Sequence, residues 1–125
     1  MKIFLVSPVR DITGEEKKTL RHIVKIWERH GIKVHWPLRD TNQNDSVGLR
    51  ICSDNRKAIK SADLIAVAWN GNSTGSLFDL GMAFAMDKPI MILVSLGGCT
   101  PTKVKSFDNM LLAWEKKSWG KGLKI

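Results

Sequence analysis

Three stretches of this chain are apolar without alternation. Asp63–Trp69 (Asp-Leu-Ile-Ala-Val-Ala-Trp) has no polar side chain after its first residue, Pro89–Val94 has none, and Lys2–Ser7 has none between its ends. A strand with one face in water alternates apolar and polar residues. A strand that does not alternate is covered on both faces, which is the condition of the parallel sheets of α/β proteins. Each run ends in turn-forming residues: Ser7-Pro8, the Asn70–Thr74 loop, and the turn at Gly97-Gly98. Three buried strands therefore frame the chain, and Ile32–Trp36, alternating around Val34 and stopped by Pro37, reads as a fourth.

The segments between the strands carry helical signals. Thr13 reads as an N-cap, and Glu16, three residues on, completes a capping box. Leu20, Ile23, Val24 and Trp27 recur at helical spacing, and Gly31 ends the helix. A second helix is expected from about Val47 to Lys60, with Leu49, Cys52, Ala58 and Ile59 inward. A third is expected over Gly75–Met86, where Gly81, Ala83 and Ala85 allow close packing on the sheet. Leu38–Val47 is polar and reads as irregular, while Phe107–Trp114 suits either a short helix or an edge strand. Strands alternating with helices predict an α/β fold: one flavodoxin-like or Rossmann-like three-layer domain over residues 1–125, with a mostly parallel sheet of four or five strands. Ligands of such sheets sit beyond the carboxyl ends of the strands, near the point where strand order reverses. Those ends are Ser7–Arg10, Trp36–Asp40, Trp69–Thr74 and Ser95–Gly98.

Charge and cysteines narrow the function classes. The formal net charge is +8, but the lysines and arginines are spread out, with modest bunching at Lys116, Lys117, Lys121 and Lys124. No zinc-finger spacing or RNA-recognition signature accompanies them, so nucleic acid is not the expected partner, and the surface favours phosphorylated small molecules. The N-terminal apolar run is too short for a signal peptide or a membrane span. Cys52 and Cys99 lie far apart and fit no metal or redox spacing. A cytoplasmic protein with two reduced thiols, and no membrane association, is the expectation.

The loops at the strand ends exclude several chemistries. The first turn, Ser7-Pro8-Val9-Arg10, has neither a Gly-x-Gly-x-x-Gly fingerprint nor a Gly-Lys-Ser/Thr phosphate loop, and a receiver domain would need acidic residues where Ser7 and Trp69 stand. His22, His30 and His35 match no metal-ligand spacing, so no metal and no cofactor are expected. Ser7 and Arg10 suit a phosphate, the arginine as a forked donor, and equally suit a turn serine and a surface arginine. Trp36 and Trp69 end strands and suit either stacking on a base or packing in the core. Ser73 precedes a helix and is a candidate N-cap; Asp79, about a turn later, sits where a carboxylate favours the helix's positive end.

The wording from Ser73 to Ile90 (Ser-Thr-Gly-Ser-Leu-Phe-Asp-Leu-Gly-Met-Ala-Phe-Ala-Met-Asp-Lys-Pro-Ile) resembles the signature of the nucleoside 2-deoxyribosyltransferase family. That signature is a Gly-rich turn, a hydrophobe, Glu-Leu-Gly, a small-residue helix, and Lys-Pro before a strand. Ala58–Val67 and the opening Ile3–Pro8 are similar to the family as well, so the resemblance covers most of residues 2–94. It implies an enzyme in which a carboxylate of the signature helix attacks the anomeric carbon and expels the base; the glycosyl-enzyme passes to a second base or to water. The matching carboxylate is Asp79, one methylene shorter than the family's Glu, so the sugar must approach by ~1.5 Å more. A second family carboxylate, which orients base or nucleophile, falls on Asn55, with Asp54 immediately before it. Adjacent helix residues point about 100° apart, so the two are not interchangeable.

Ser73 is similar to the 2'-deoxynucleoside 5'-phosphate N-hydrolase branch, where the free-nucleoside transferases tend to carry Asp. A serine and exposed N–H groups at a helix start, here with Gly75 and Ser76, attract a 5'-phosphate that a carboxylate would repel. The expected ligand is a nucleoside or nucleotide, favouring the 5'-monophosphate. The alternative on the same fold is a non-catalytic nucleotide-binding or sensing module. The resemblance also implies a homo-oligomer, with Asn109 of Phe107–Leu111 reaching a neighbour's pocket. Trp114 and Trp119, large apolar groups with few obvious partners, fit that expectation.

Overall fold

The computed structural model describes residues 1–120. Lys121 and Lys124, part of the basic bunching at the C-terminus, lie outside the described residues. Four strands, β1 (Lys2–Val6), β2 (Lys33–His35), β3 (Leu64–Ala68) and β4 (Ile90–Leu93), form a sheet of order β2-β1-β3-β4 in which every neighbouring pair is parallel. Helices α1 (Gly14–Arg29), α3 (Leu49–Ser61) and α4 (Thr74–Ala85) make the crossovers, and α5 (Phe107–Gly120) follows β4. A short α2 (Pro37–Asp40) lies in the stretch that the sequence presents as irregular.

The apolar runs divide between two cores because successive strand residues point to opposite faces. Ile3, Leu5, Leu64, Ala66 and Ala68 meet Leu20 and Val24 of α1 on one face. Phe4, Val6, Ile65 and Val67 meet Ile59, Leu80, Ala83, Leu111 and Trp114 of α3, α4 and α5 on the other. That arrangement explains why β1 and β3 lack polar alternation: nearly every side chain has a helix above or below it.

Local signals account for the helix ends. The Thr13 hydroxyl accepts from the Glu16 N–H at 3.1 Å while the Glu16 carboxylate accepts from the Thr13 N–H at 2.9 Å, the reciprocal pair of a capping box. Gly31, at φ +80°, takes the left-handed turn out of α1 that a Cβ would disfavour. α3 starts later than the expected Val47, after Gly48 in a left-handed conformation. Leu49 is 72% exposed rather than inward, since it stands on the first turn, ahead of the helix's contact with the sheet. Phe107–Trp114 is helical and continues to Gly120. Trp114 finds partners within its own chain: its indole N–H donates to the Lys88 carbonyl, and Phe84 meets it edge-on at 5.3 Å.

Candidate functional site

The order β2-β1-β3-β4 reverses between β1 and β3, since β1 leads to its neighbour on one side and β3 to its neighbour on the other. Beyond the carboxyl ends of those strands lies a cavity of about 400 Å³, where crevice binding is expected in open α/β sheets. Its wall draws on the loop after β1 (Ser7, Arg10), on α3 (Cys52, Asn55), and on the start of α4 (Ser73–Ser76, Asp79).

Asp79 is the chemical centre of this wall. It is 8% exposed, yet it lines the cavity. Burial disfavours the charged carboxylate and raises its pKa to about 6, with the Asn55 amide acting in the opposite direction. The Asn55 Nδ2 donor sits 3.4 Å from each carboxylate oxygen, a long, shared approach. At neutral pH Asp79 is therefore mostly ionised but weakly solvated, which suits a nucleophile.

Asn55 and Asp54 are separated by the helix turn between them. Asn55 is buried against Asp79, whereas Asp54 faces outward and pairs with Arg50 at 2.8 Å, one turn earlier on α3. Asp54 is absent from the wall that Asp79 lines and turns instead to Arg50, as the roughly 100° between adjacent helix residues requires.

The start of α4 presents donors to the cavity. The Ser73 hydroxyl accepts from the Ser76 N–H at 3.2 Å, the N-cap expected of it. The first-turn N–H groups of Thr74 and Gly75 have no partner within a helix by geometry, and together with the helix dipole they favour an anion. The Ser76 hydroxyl is buried at this end without a hydrogen-bond partner among the described residues. Arg10 stands exposed at the mouth.

The two strand-end tryptophans do not line this cavity. Trp36 is 1% and Trp69 2% exposed, and both belong to the cores. The indole N–H of Trp36 donates to the Ser7 hydroxyl at 2.8 Å, and that of Trp69 to Asp108 at 2.9 Å. Each ring is tucked under its loop with its polar atom satisfied, so base stacking by Trp36 or Trp69 gives way to core packing. Ser7 is consequently engaged by Trp36, which leaves it as a supporting member of the wall. Asn109 is absent from the wall, and its amide is spent on its own loop: it accepts from the Thr102 N–H and donates to the Thr102 and Val104 carbonyls. Reaching a neighbour's pocket would require giving these bonds up.

Cys52 and Gln43 also line the cavity, and the sequence reading assigned neither to it. Cys52 stands three residues before Asn55, a same-face spacing that could have flagged it. Gln43 carries no such signal. Among the described residues no cluster of three or more His, Cys, Asp or Glu side chains is placed to hold a metal ion, and no helix is long and apolar enough to cross a membrane.

Comparison with known proteins places this geometry in context. The sequence pattern of the nucleoside 2-deoxyribosyltransferase family matches residues 3–111. The CMP N-glycosidase BcmB of Clostridium botulinum is similar in structure at 26% identity and a TM-score of 0.55, over 74% of this chain and 67% of that one. The fold is shared with the 2-deoxyribosyltransferase of Bacillus psychrosaccharolyticus at 20% identity and a TM-score of 0.62, over 100% of this chain and 92% of that one. It is shared equally with the 2-deoxyribosyltransferase of Leishmania mexicana at 15% identity and a TM-score of 0.61, over 98% and 96%. No curated protein sequence matches the chain. With the family pattern extending from β1 into α5 and including both Asn55 and Asp79, the chain belongs to the nucleoside 2-deoxyribosyltransferase family.

Proposed function

We propose that this protein cleaves, or transfers at, the N-glycosidic bond of a nucleoside 5'-monophosphate, with Asp79 as the nucleophile. The observation that carries the reading is the buried Asp79 carboxylate, one turn along α4 from the first-turn N–H groups of Thr74 and Gly75, residues that line the same cavity. A phosphate held by the Thr74 and Gly75 N–H groups and by Arg10 anchors one end of the substrate. The sugar then spans the short distance to Asp79. An Asp79 oxygen forms a bond to the anomeric carbon as the carbon–nitrogen bond breaks, and the electron pair leaves with the base. Water attacking the resulting ester releases the sugar 5-phosphate and restores the carboxylate, and the proton that water loses neutralises the expelled base; a second base attacking the ester completes a transfer instead. Similarity to a protein named CMP N-glycosidase supports a nucleotide over a free nucleoside.

Incubation with a panel of nucleoside and 2'-deoxynucleoside 5'-monophosphates and the matching nucleosides, with chromatographic detection of free base, tests the reading. Base release from at least one monophosphate is expected. Asp79→Ala should abolish it while leaving nucleotide affinity within a few-fold of the parent, because a nucleophile's bond forms in the transition state. No base release from any of the common nucleotides, together with tight binding of one, would make the chain a nucleotide-binding module.

A further inference from the structure

Behind Asn55 lies a line of side chains that the glycosidic chemistry does not itself require. The Thr41 hydroxyl, buried, donates to the Asn55 Oδ1 at 2.7 Å, and the His35 Nε2 lies 2.9 Å from the same hydroxyl oxygen. A threonine hydroxyl has one hydrogen, and here it is given to Asn55, so His35 must be the donor to Thr41. Burial lowers the His35 pKa, Asp40 and Asp54 opposing and Arg39 adding to the effect. The ring is thus neutral at pH 7, with its one hydrogen on Nε2. The ring is held in place by stacking on Phe4, centroids 5.5 Å apart and planes within 6°. The backbone that carries Thr41 is fixed as well: Asp40 accepts from the Trp36 N–H, and Arg39 bridges to Glu28 of α1 and to the Val34 carbonyl.

We propose that His35 and Thr41 are positioning residues for Asp79: they fix the amide of Asn55 with its oxygen turned away and its NH2 turned towards the nucleophile. The proposal rests on the reading of Asp79 as nucleophile. Every donor in the series points the same way, from His35 to Thr41 to Asn55 to the carboxylate, and each bond polarises the next. An asparagine amide is nearly symmetric in shape, and a protonated Asp79 can pair with either end of it. The Thr41 hydrogen, directed onto the Asn55 oxygen by the His35 N–H, keeps the NH2 towards Asp79 in both protonation states. Asn55 is thus already set to favour the ionised nucleophile, with no amide rotation to accompany loss of the proton. The other groups around Asp79 do not replace this hold. Cys52, on α3, has a thiol pKa raised by burial and by Asp79, while Arg10 and Asp11 stand in the loop across the cavity.

Thr41→Val removes the hydroxyl and keeps the shape; Thr41→Ser keeps the hydroxyl. In Thr41→Val the acid limb of the kcat/KM profile should move up from near pH 6 by roughly half to one unit, the size expected for one oriented hydrogen bond. Activity at pH 6 should fall by roughly two- to fivefold and recover above pH 8, with KM for the nucleotide nearly unchanged. Thr41→Ser should follow the parent. A merely structural role would lower activity equally at all pH values, and that result overturns the proposal. The carboxyl titration of Asp79, followed by carbon-13 NMR and assigned with Asp79→Asn, reads the same shift without turnover. If the parent releases no base, the glycosidase reading falls while the NMR titration still decides the positioning role. Superposable Asp79 titrations in the parent and Thr41→Val refute it. His35→Phe keeps an aromatic ring for the stack on Phe4 and removes the Nε2–H, so it should give a smaller shift of the same sign if Thr41→Val does not fold.

Discussion

Asp79→Asn should make this protein more stable at neutral pH, and the gain should vanish in acid. Burial moves the Asp79 carboxyl from its ordinary 3.8 to about 6 in the folded chain. The folded state holds that proton more tightly than the unfolded state, so ionisation of Asp79 opposes folding. Below about pH 3.8 both states are protonated and the cost is absent. It grows between pH 3.8 and 6, and above 6 it is fully present. A difference of about two pKa units corresponds to about 3 kcal/mol. An asparagine carries no charge to desolvate, and its oxygen can still accept from the Asn55 NH2. Its own NH2 has to find water in the cavity, which trims the gain to about 1–3 kcal/mol. For a chain of this size that is a rise of about 3–5 °C in Tm per kcal/mol. Urea unfolding of both proteins at equal concentration, from pH 4 to pH 8 in steps of half a unit, measures the difference directly. A difference that does not change with pH, or a parent more stable than Asp79→Asn at pH 7.5, would refute the reasoning, because either means that the folded state does not strain the carboxylate.

Arg10→Ala should weaken binding of a nucleoside 5'-monophosphate by tenfold or more and leave the matching nucleoside unaffected, since one charge-assisted contact contributes roughly 1.5–3 kcal/mol; titration calorimetry giving equal losses for the two ligands would remove Arg10 from the phosphate site. Trp36→Phe keeps most of the buried ring but deletes the 2.8 Å bond to Ser7, and should cost about 1–2 kcal/mol in urea unfolding. A neutral result there would mean that the indole N–H contributes nothing to fixing the first loop.

The fold was legible because its strongest signals are local. An unalternating Leu64–Ala68 is covered on both faces wherever it lies in the chain, and Thr13 with Glu16 closes a helix start within four residues. The pairing of Asn55 with Asp79 was reached through likeness to a family, since 24 positions separate them and neither residue type announces the other. Residue type was least informative at Trp36 and Trp69. A tryptophan ending a strand at a cleft can turn to the cleft or to the core, and the choice depends on Ser7 and Asp108, far away in the chain. Thr41 was invisible for a similar reason. It sits in a polar stretch with no periodicity, and its hydroxyl finds partners only where the chain leaving α2 passes between His35 and Asn55. Phe107–Gly120 has weak amphipathic contrast because Leu111, Trp114 and Ser118 face inward among apolar residues on other faces, so periodicity alone did not separate helix from strand.

The strand order also bears on how the chain is made. β1 pairs on one edge with β2, about thirty residues later, but its other edge pairs with β3, where Ile3 meets Leu64 and Val6 meets Val67. During synthesis at roughly 5–20 residues per second, β1 and β2 are complete some seconds before β3 exists to join them. Through that interval β1 is an apolar strand whose Ile3–Val6 edge stands open, the form most prone to pairing with another nascent chain. β1, central in the sheet, is therefore made well before β3, and its second edge is covered only once β3 has followed. Slowing elongation between codons 36 and 64 would prolong that exposure, and a circular permutant beginning at β3 would present β3 to β1 as soon as β1 emerged.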